Sequence, residues 1–221
     1  MKRFLCCFPL LAAVLTAGEV SFGPFDPVSE KMTVKTPQLV CRFLRYHAFP
    51  AEIVLADGRK VPFFDFGDGI FPGNGKASFR SGEDYWSELS PDPGQNAVTA
   101  RAVFCRRRWK PYPEVFPGAQ AGYVFRFSKD RAEIDISCTV KNLPQEGVRL
   151  GLLVLKWPLD RVGKYVLSPD GKRLELTLSG VSAVVEAERL TVAPAGPFLE
   201  ISPAVTRGEK EASARLVLNF K

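Results

Sequence analysis

Strict alternation of apolar and polar residues is the feature of this sequence that most restricts its fold. The clearest example runs from Glu133 to Lys141. Its apolar positions, all on one face of an extended chain, are Ile134, Ile136, Cys138 and Val140. A period of two is that of a β-strand with one buried face and one wet face. Since no segment after residue 17 keeps an apolar repeat at helical spacing, the pattern predicts an all-β chain.

Similar segments recur along the chain and predict roughly a dozen short strands. Besides residues 133–141, they are residues 31–35, 38–46, 51–55, 60–66, 97–106, 123–128, 148–157, 165–167, 173–178, 182–186, 189–192, 198–201 and 212–220. Two pairs of segments flank Ala56-Asp57-Gly58 and Ser168-Pro169-Asp170-Gly171, where Gly supplies the left-handed conformation that closes a hairpin. A third hairpin is expected around Lys129-Asp130.

Short strands separated by Gly and Pro are typical of an antiparallel two-sheet β-sandwich, which is the predicted architecture. We expect a single domain over residues 18–221, because about 200 residues can bury a core without disulfides or metals. The apolar run at residues 148–155 predicts either a central strand covered on both faces or a strand that crosses between sheets. Functional residues are expected in the irregular stretches, residues 67–93 and 110–121.

The start of the chain predicts a cleaved signal peptide over residues 1–17. Met1-Lys2-Arg3 precedes an apolar run at residues 4–15, and Thr16-Ala17-Gly18 provides small residues for cleavage. The apolar run is shorter than the roughly 20 residues that a membrane-spanning helix needs, and Pro9 interrupts it. We therefore expect an exported protein, periplasmic or secreted, with no transmembrane span in the mature chain.

The charge of the chain favours some partners over others. A formal net charge of +6 becomes +4 once Lys2 and Arg3 leave with the signal peptide. This mild excess suits polyanions such as acidic polysaccharides, but it lacks the clustered basic face of a nucleic-acid-binding protein. Because the sequence carries no recognisable catalytic or cofactor motif, no cofactor is expected.

Three cysteines remain after removal of the signal peptide: Cys41, Cys105 and Cys138. At most one disulfide can form among them, and the alternative is three small buried side chains within strands. Their spacing lacks the close pairs of a zinc site, and the single His47 cannot complete a pair of histidine ligands. We expect no metal site from these residues and a structural role for His47.

Two acidic residues fall in the sequence Asp65-Phe66-Gly67-Asp68-Gly69. Asp65 and Asp68 could supply oxygen ligands to calcium, which prefers several oxygens on a flexible loop. The spacing departs from the helix-loop-helix calcium motif, so the other interpretation is a strand end followed by a glycine turn.

The segment 81–88 combines carboxylates with aromatic rings, and its candidate ligand-binding residues are Glu83, Tyr85, Trp86 and Glu88. Aromatic rings stack on the apolar face of a sugar, while carboxylates bind its hydroxyl groups. The other interpretation is a solvated loop whose two rings fold back into the core.

The segment 105–112 holds the densest positive charge, and its candidate residues are Arg106, Arg108, Trp109 and Tyr112. Guanidinium groups suit carboxylate, sulfate or phosphate, and the two rings could stack on a sugar. The other interpretation is a strand end whose arginines keep a sheet edge soluble.

Three functions are compatible with this sequence. The first is a non-catalytic, exported β-sandwich that binds carbohydrate, including anionic glycans. The second is a structural or assembly protein of the cell envelope, which would bind through strand edges and apolar patches. The third is a glycan-processing enzyme that uses the loop carboxylates Glu83, Asp84 or Glu88.

Overall fold

The computed structural model describes residues 19–26, 31–44, 48–62, 64–73, 78–81, 88–106, 114–144 and 146–221. Nearly all regular structure there is β, and the paired strands are antiparallel, which confirms the all-β prediction. The only helical elements in these ranges are short 3₁₀ turns at Pro93–Gln95 and Leu159–Arg161. None of the described helical segments is long and apolar enough to cross a membrane.

The strands, numbered in chain order, have these bounds: β1 Ser21–Phe22, β2 Lys31–Lys35, β3 Leu39–Leu44, β4 Pro50–Leu55, β5 Asp65–Phe66, β6 Gly69–Pro72, β7 Phe79–Ser81, β8 Glu88–Asp92, β9 Ala97–Arg106, β10 Glu114–Phe127, β11 Glu133–Lys141, β12 Val148–Gly151, β13 Leu155–Pro158, β14 Val162–Leu167, β15 Arg173–Leu178, β16 Val181–Glu186, β17 Leu190–Ala195, β18 Phe198–Pro203, β19 Thr206–Arg207 and β20 Glu211–Phe220.

The described strands form one large sheet and two small ones. The large sheet has the order β12-β6-β7-β9-β10-β11-β20-β16-β15-β14 and is curled into a half-barrel, with β8 added beside β9 and β19 beside β20. The small sheets have the orders β1-β2-β3-β4 and β17-β18-β13-β5. The two-sheet sandwich therefore stays a prediction, because the described chain divides its strands among three hydrogen-bonded sheets.

Alternation predicted several strands to the residue, namely β2, β9, β11 and β15. Two of the expected hairpins form, with β10 pairing β11 and β14 pairing β15. At the first turn the contact is a single bridge between Val54 and Lys60, and among the described residues of the strand predicted at residues 60–66 only β5 forms, which pairs with β13 instead. Both glycines that close these turns, Gly58 and Gly171, have a positive φ. Residues 114–121 differ from the prediction, since they belong to β10 and contain an irregular register between Val115 and Gln120.

The inner faces of the sheets share a hydrophobic core. Phe43 of β3 packs edge-on against Phe125 of β10, with ring centroids 5.3 Å apart. Phe64 lies 5.0 Å from the ring of Trp157 in β13. Aromatic side chains from the two small sheets, or from residues next to their strands, therefore pack into the core. Cys41, Cys105 and Cys138 are buried and are not joined by a disulfide, in agreement with the interpretation of small side chains within strands.

The apolar run at residues 148–155 crosses between sheets. β12 belongs to the large sheet, β13 belongs to a small one, and the link between them is fully buried at Leu152 and Leu153. Leu153 has a φ of 56°, so the backbone breaks its extended course there. Buried amides at such a break need a partner other than a neighbouring strand, and Asp68 provides it: the amide N–H of Val154 donates to Oδ1 of Asp68 over 2.8 Å.

Candidate functional site

An open groove of about 660 Å³ lies on the outer face of the large sheet, where β8, β9, β10 and β11 run side by side. We call it the Gly122 groove. Its lining residues are Glu88, Arg101, Ala102, Val103, Gln120, Ala121, Gly122, Thr139, Lys141 and Asn142. In the described part of the chain, the Gly122 groove brings together charged and neutral polar side chains from four strands.

Strand register brings these residues together. Glu88 pairs with Arg101, Arg101 with Gly122, and Gly122 with Thr139, so the four residues form one row across the sheet. Two residues further along β10, on the same face of the sheet, Gln120 pairs with Lys141. Cross-strand neighbours on one face lie about 5 Å apart, within reach of a single small ligand.

Gly122 makes the floor of the groove. Alternation turns Ala121 and Tyr123 into the core, where both are buried, and leaves position 122 on the outer face without a side chain. A Cβ at this position would meet only the carbonyl oxygen of Thr139, at 3.8 Å. The site is a shallow slot because its central position is empty, and Arg101 and Thr139 flank it on the neighbouring strands.

The polar side chains of the groove have hydrogen-bonding capacity to spare. Those of Glu88, Arg101, Gln120 and Lys141 form no hydrogen bond or ion pair within the described structure. Asn142 uses one amide hydrogen, since its Nδ2 donates to the carbonyl oxygen of Gly118 over 3.3 Å. The groove therefore offers two cationic groups, one carboxylate and several neutral groups to a ligand.

Glu88 is the one sequence-predicted site residue that lines this groove. The predicted residues Glu83, Tyr85, Trp86, Arg108, Trp109 and Tyr112 lie outside the described residues, as does His47. Their described flanks meet on β9: Ser81 pairs with Phe104, Glu88 with Arg101, and Arg106 with Glu114. The described residues that flank the two predicted segments thus belong to β9 or pair with it, and β9 also lines the groove.

Arg106, the other described candidate, is held by neighbours at the end of β9. Its Nη2 and Nε lie 2.7 and 2.8 Å from Oε2 of Glu114. Its guanidinium also stacks over the ring of Phe79, 5.1 Å from the centroid. These contacts hold the ends of β9 and β10 together at Arg106.

Sequence reasoning did not single out Arg101, Gln120, Lys141 or Asn142. Thr139 and Lys141 lie on the polar face of a correctly predicted strand, so the alternation alone predicts that their side chains point away from the core. Which residues of β8, β9 and β10 stand beside them depends on register, which alternation within one strand does not specify.

A second polar cluster is sealed inside the protein around Asp68, which has no exposed surface. The hydroxyl of Tyr123 donates to Oδ2 of Asp68 over 3.2 Å and lies 2.6 Å from Oγ of Ser81. Burial raises the pKa of Asp68 to about 7, against the opposing effect of the backbone hydrogen bonds from Leu153 and Val154. Burial also raises the pKa values of Tyr123 and Cys138.

This cluster supports the sheet crossing and does not match a calcium site. Both carboxylate oxygens of Asp68 accept hydrogen bonds from protein donors, while Asp65 is exposed. No group of three or more acidic, histidine or cysteine residues suited to a metal occurs in the described ranges. A buried carboxyl that binds an orphan amide explains the position of Asp68 fully.

The chemistry available at the Gly122 groove is recognition by charge and hydrogen bonding. Arginine and lysine bind carboxylate or sulfate, and amide and hydroxyl groups bind the hydroxyl groups of sugars.

Comparison of the chain with known protein families and with curated proteins finds no match.

Proposed function

We propose that this protein binds carbohydrate bearing acidic groups, in the Gly122 groove. One observation carries the proposal: a floor without a side chain lies among Glu88, Arg101, Gln120 and Lys141, whose side chains have no partner among the described residues. A pyranose ring can lie flat over Gly122, its hydroxyl groups within reach of Gln120 and Thr139. An acidic substituent would then bind Arg101 or Lys141.

The sequence-predicted signal peptide supports this function, because it would deliver the domain to a compartment rich in polysaccharide. The expected sandwich architecture is also compatible, since sheet faces and the loops beside them are common positions for ligand sites. Under this proposal, Glu83, Tyr85, Trp86, Arg108, Trp109 and Tyr112 remain sequence-predicted candidates for further contacts with the ligand.

Filling the groove floor tests the proposal. We expect Gly122→Thr to weaken binding to a panel of acidic polysaccharides, including hyaluronan and polygalacturonate, by about tenfold or more, a loss of about 1.4 kcal/mol or more. The same change should leave stability equal or raise it by about 0.5–1 kcal/mol, because glycine is unfavourable within a strand. Isothermal titration and urea unfolding measure the two effects.

Gly163→Thr is the matched control, since Gly163 lies in β14, far from the groove in sheet order, and an added Cβ there makes only ordinary contacts of 3.5 Å or more. Trp86→Ala and Trp109→Ala test the sequence-predicted aromatic residues. Unchanged binding in Gly122→Thr would contradict the groove. Absence of wild-type binding to the whole panel would contradict carbohydrate recognition, and turnover of a glycan would favour the enzyme hypothesis instead.

A second function, assembly in the cell envelope, is favoured by strand β14. This strand ends the large sheet, and its residues Tyr165, Val166 and Leu167 are 43 %, 66 % and 38 % exposed. An apolar edge with unpaired backbone groups can add a strand from a protein partner. A cross-link mapped to β14 would support assembly, and a monomer that forms none would count against it.

A further inference from the structure

The row of residues that crosses the Gly122 groove continues beyond it. Thr139 pairs with Ser213 of β20, and Ser213 pairs with Thr206 of β19. The row therefore runs from Glu88 across six strands to Thr206, a contour of about 24 Å at ~4.8 Å per strand. Thr139, Ser213 and Thr206 place three hydroxyl side chains next to one another along it.

A second open groove, of about 550 Å³, follows this extension, and we call it the Ser213 groove. It shares Thr139 with the Gly122 groove, so the two depressions adjoin. Its polar lining includes Ser137, Ser213 and Thr206. None of these three hydroxyl groups, nor that of Thr139, is hydrogen-bonded within the described structure.

Charge divides the two grooves. In the Gly122 groove, Arg101, Lys141 and Glu88 have no side-chain partner among the described residues, which leaves one net positive charge there. In the Ser213 groove, both guanidinium contacts of Arg215 go to Asp135, at 2.8 and 2.9 Å. Glu188 is exposed there and unpaired within the described structure. The described lining therefore gives the Gly122 groove a net positive charge and the Ser213 groove the negative charge of Glu188, which favours an acidic group over Gly122.

We propose that the ligand is an oligosaccharide chain that lies across the strands, with an acidic sugar over Gly122 and neutral sugars over Thr139, Ser213 and Thr206. This inference rests on the proposed function and adds chain length and direction to it. Hydroxyl side chains both donate and accept hydrogen bonds, so they match the hydroxyl groups of neutral sugars. The positive end holds the acidic sugar.

Chain length is the quantity to measure. The probes are neutral xylo-oligosaccharides that carry one glucuronic acid at the non-reducing end, with two, four, six or eight sugars in all. We expect affinity for the wild type to rise about tenfold from two sugars upward and to level off once the chain is as long as the row. In Ser213→Phe, which puts a ring into the second groove from an exposed position, the rise should disappear while disaccharide affinity stays unchanged.

Thr191→Phe is the control, because Thr191 is exposed on β17 in a different sheet. Equal affinity for all chain lengths, or a length dependence that Ser213→Phe leaves intact, would overturn the extended site and leave the Gly122 groove standing. Binding of panel polysaccharides without binding of any of these oligosaccharides would also overturn it. Failure of every glycan in the panel would remove the proposed function itself.

Discussion

The carboxyl group of Asp68 is fully buried, and its burial couples the protonation of Asp68 to folding. Its pKa is raised to about 7 by burial, from an ordinary value of 3.8. The folded chain therefore holds this proton more tightly than the unfolded chain does. The resulting contribution to stability is fully present below about pH 4 and is lost as the pH rises through about 7.

Replacement of the carboxyl by an amide should remove this dependence. Asp68→Asn keeps an oxygen that can accept the Val154 amide hydrogen, and it carries no charge at any pH. We expect the wild type to lose stability relative to Asp68→Asn between pH 4 and pH 8, by a few kcal/mol in all. Urea unfolding across this range measures the difference.

Asp65→Asn is the matched control for this comparison, because Asp65 is exposed and three positions away. Its stability should follow the wild type at each pH. Parallel curves for the wild type and Asp68→Asn would show that the buried carboxyl does not titrate in this range.

At the scale of strands, the second proposed function depends on β14, which ends the large sheet and exposes apolar side chains. We expect Val166→Lys to reduce concentration-dependent association and cross-linking through β14, because a charge on an edge strand opposes strand addition. Stability should change by no more than about 0.5 kcal/mol, as is usual for exposed positions. Light scattering and sedimentation measure the association.

Thr191→Lys supplies the comparison, since Thr191 is also exposed on a strand that ends a sheet. Association that responds equally to both lysines would reflect net charge alone and would contradict a specific role for β14.

The sequence predicts strands far better than it predicts their neighbours. Alternation located β9 and β11 to the residue because a half-buried strand must follow the period of its two faces. It could not place Arg101 beside Gly122, because register depends on long-range pairing. It also left open how the run at residues 148–155 is used, since a buried strand and a buried crossing are equally apolar. The groove and the Asp68 cluster depend on these long-range relations.

For the molecule as a whole, the predicted location outside the cytoplasm depends on the signal peptide predicted over residues 1–17. We expect protein recovered from its native host to begin after residue 17, as N-terminal sequencing or intact mass would show. Cleavage would agree with a function outside the cytoplasm. An intact Met1 would contradict export by a cleaved signal peptide, and it would remove the compartmental support for glycan binding.

The position of β20 has a consequence for how the chain folds. This strand follows the other described strands in sequence, yet it lies inside the large sheet with β11 on one side and β16 and β19 on the other. Until residues 211–220 have been synthesised, β11 and β16 each expose an edge, and the large sheet stays divided into two parts. We therefore expect a nascent chain that lacks β20 to stay incompletely folded, which is the state that export by the predicted signal peptide would require.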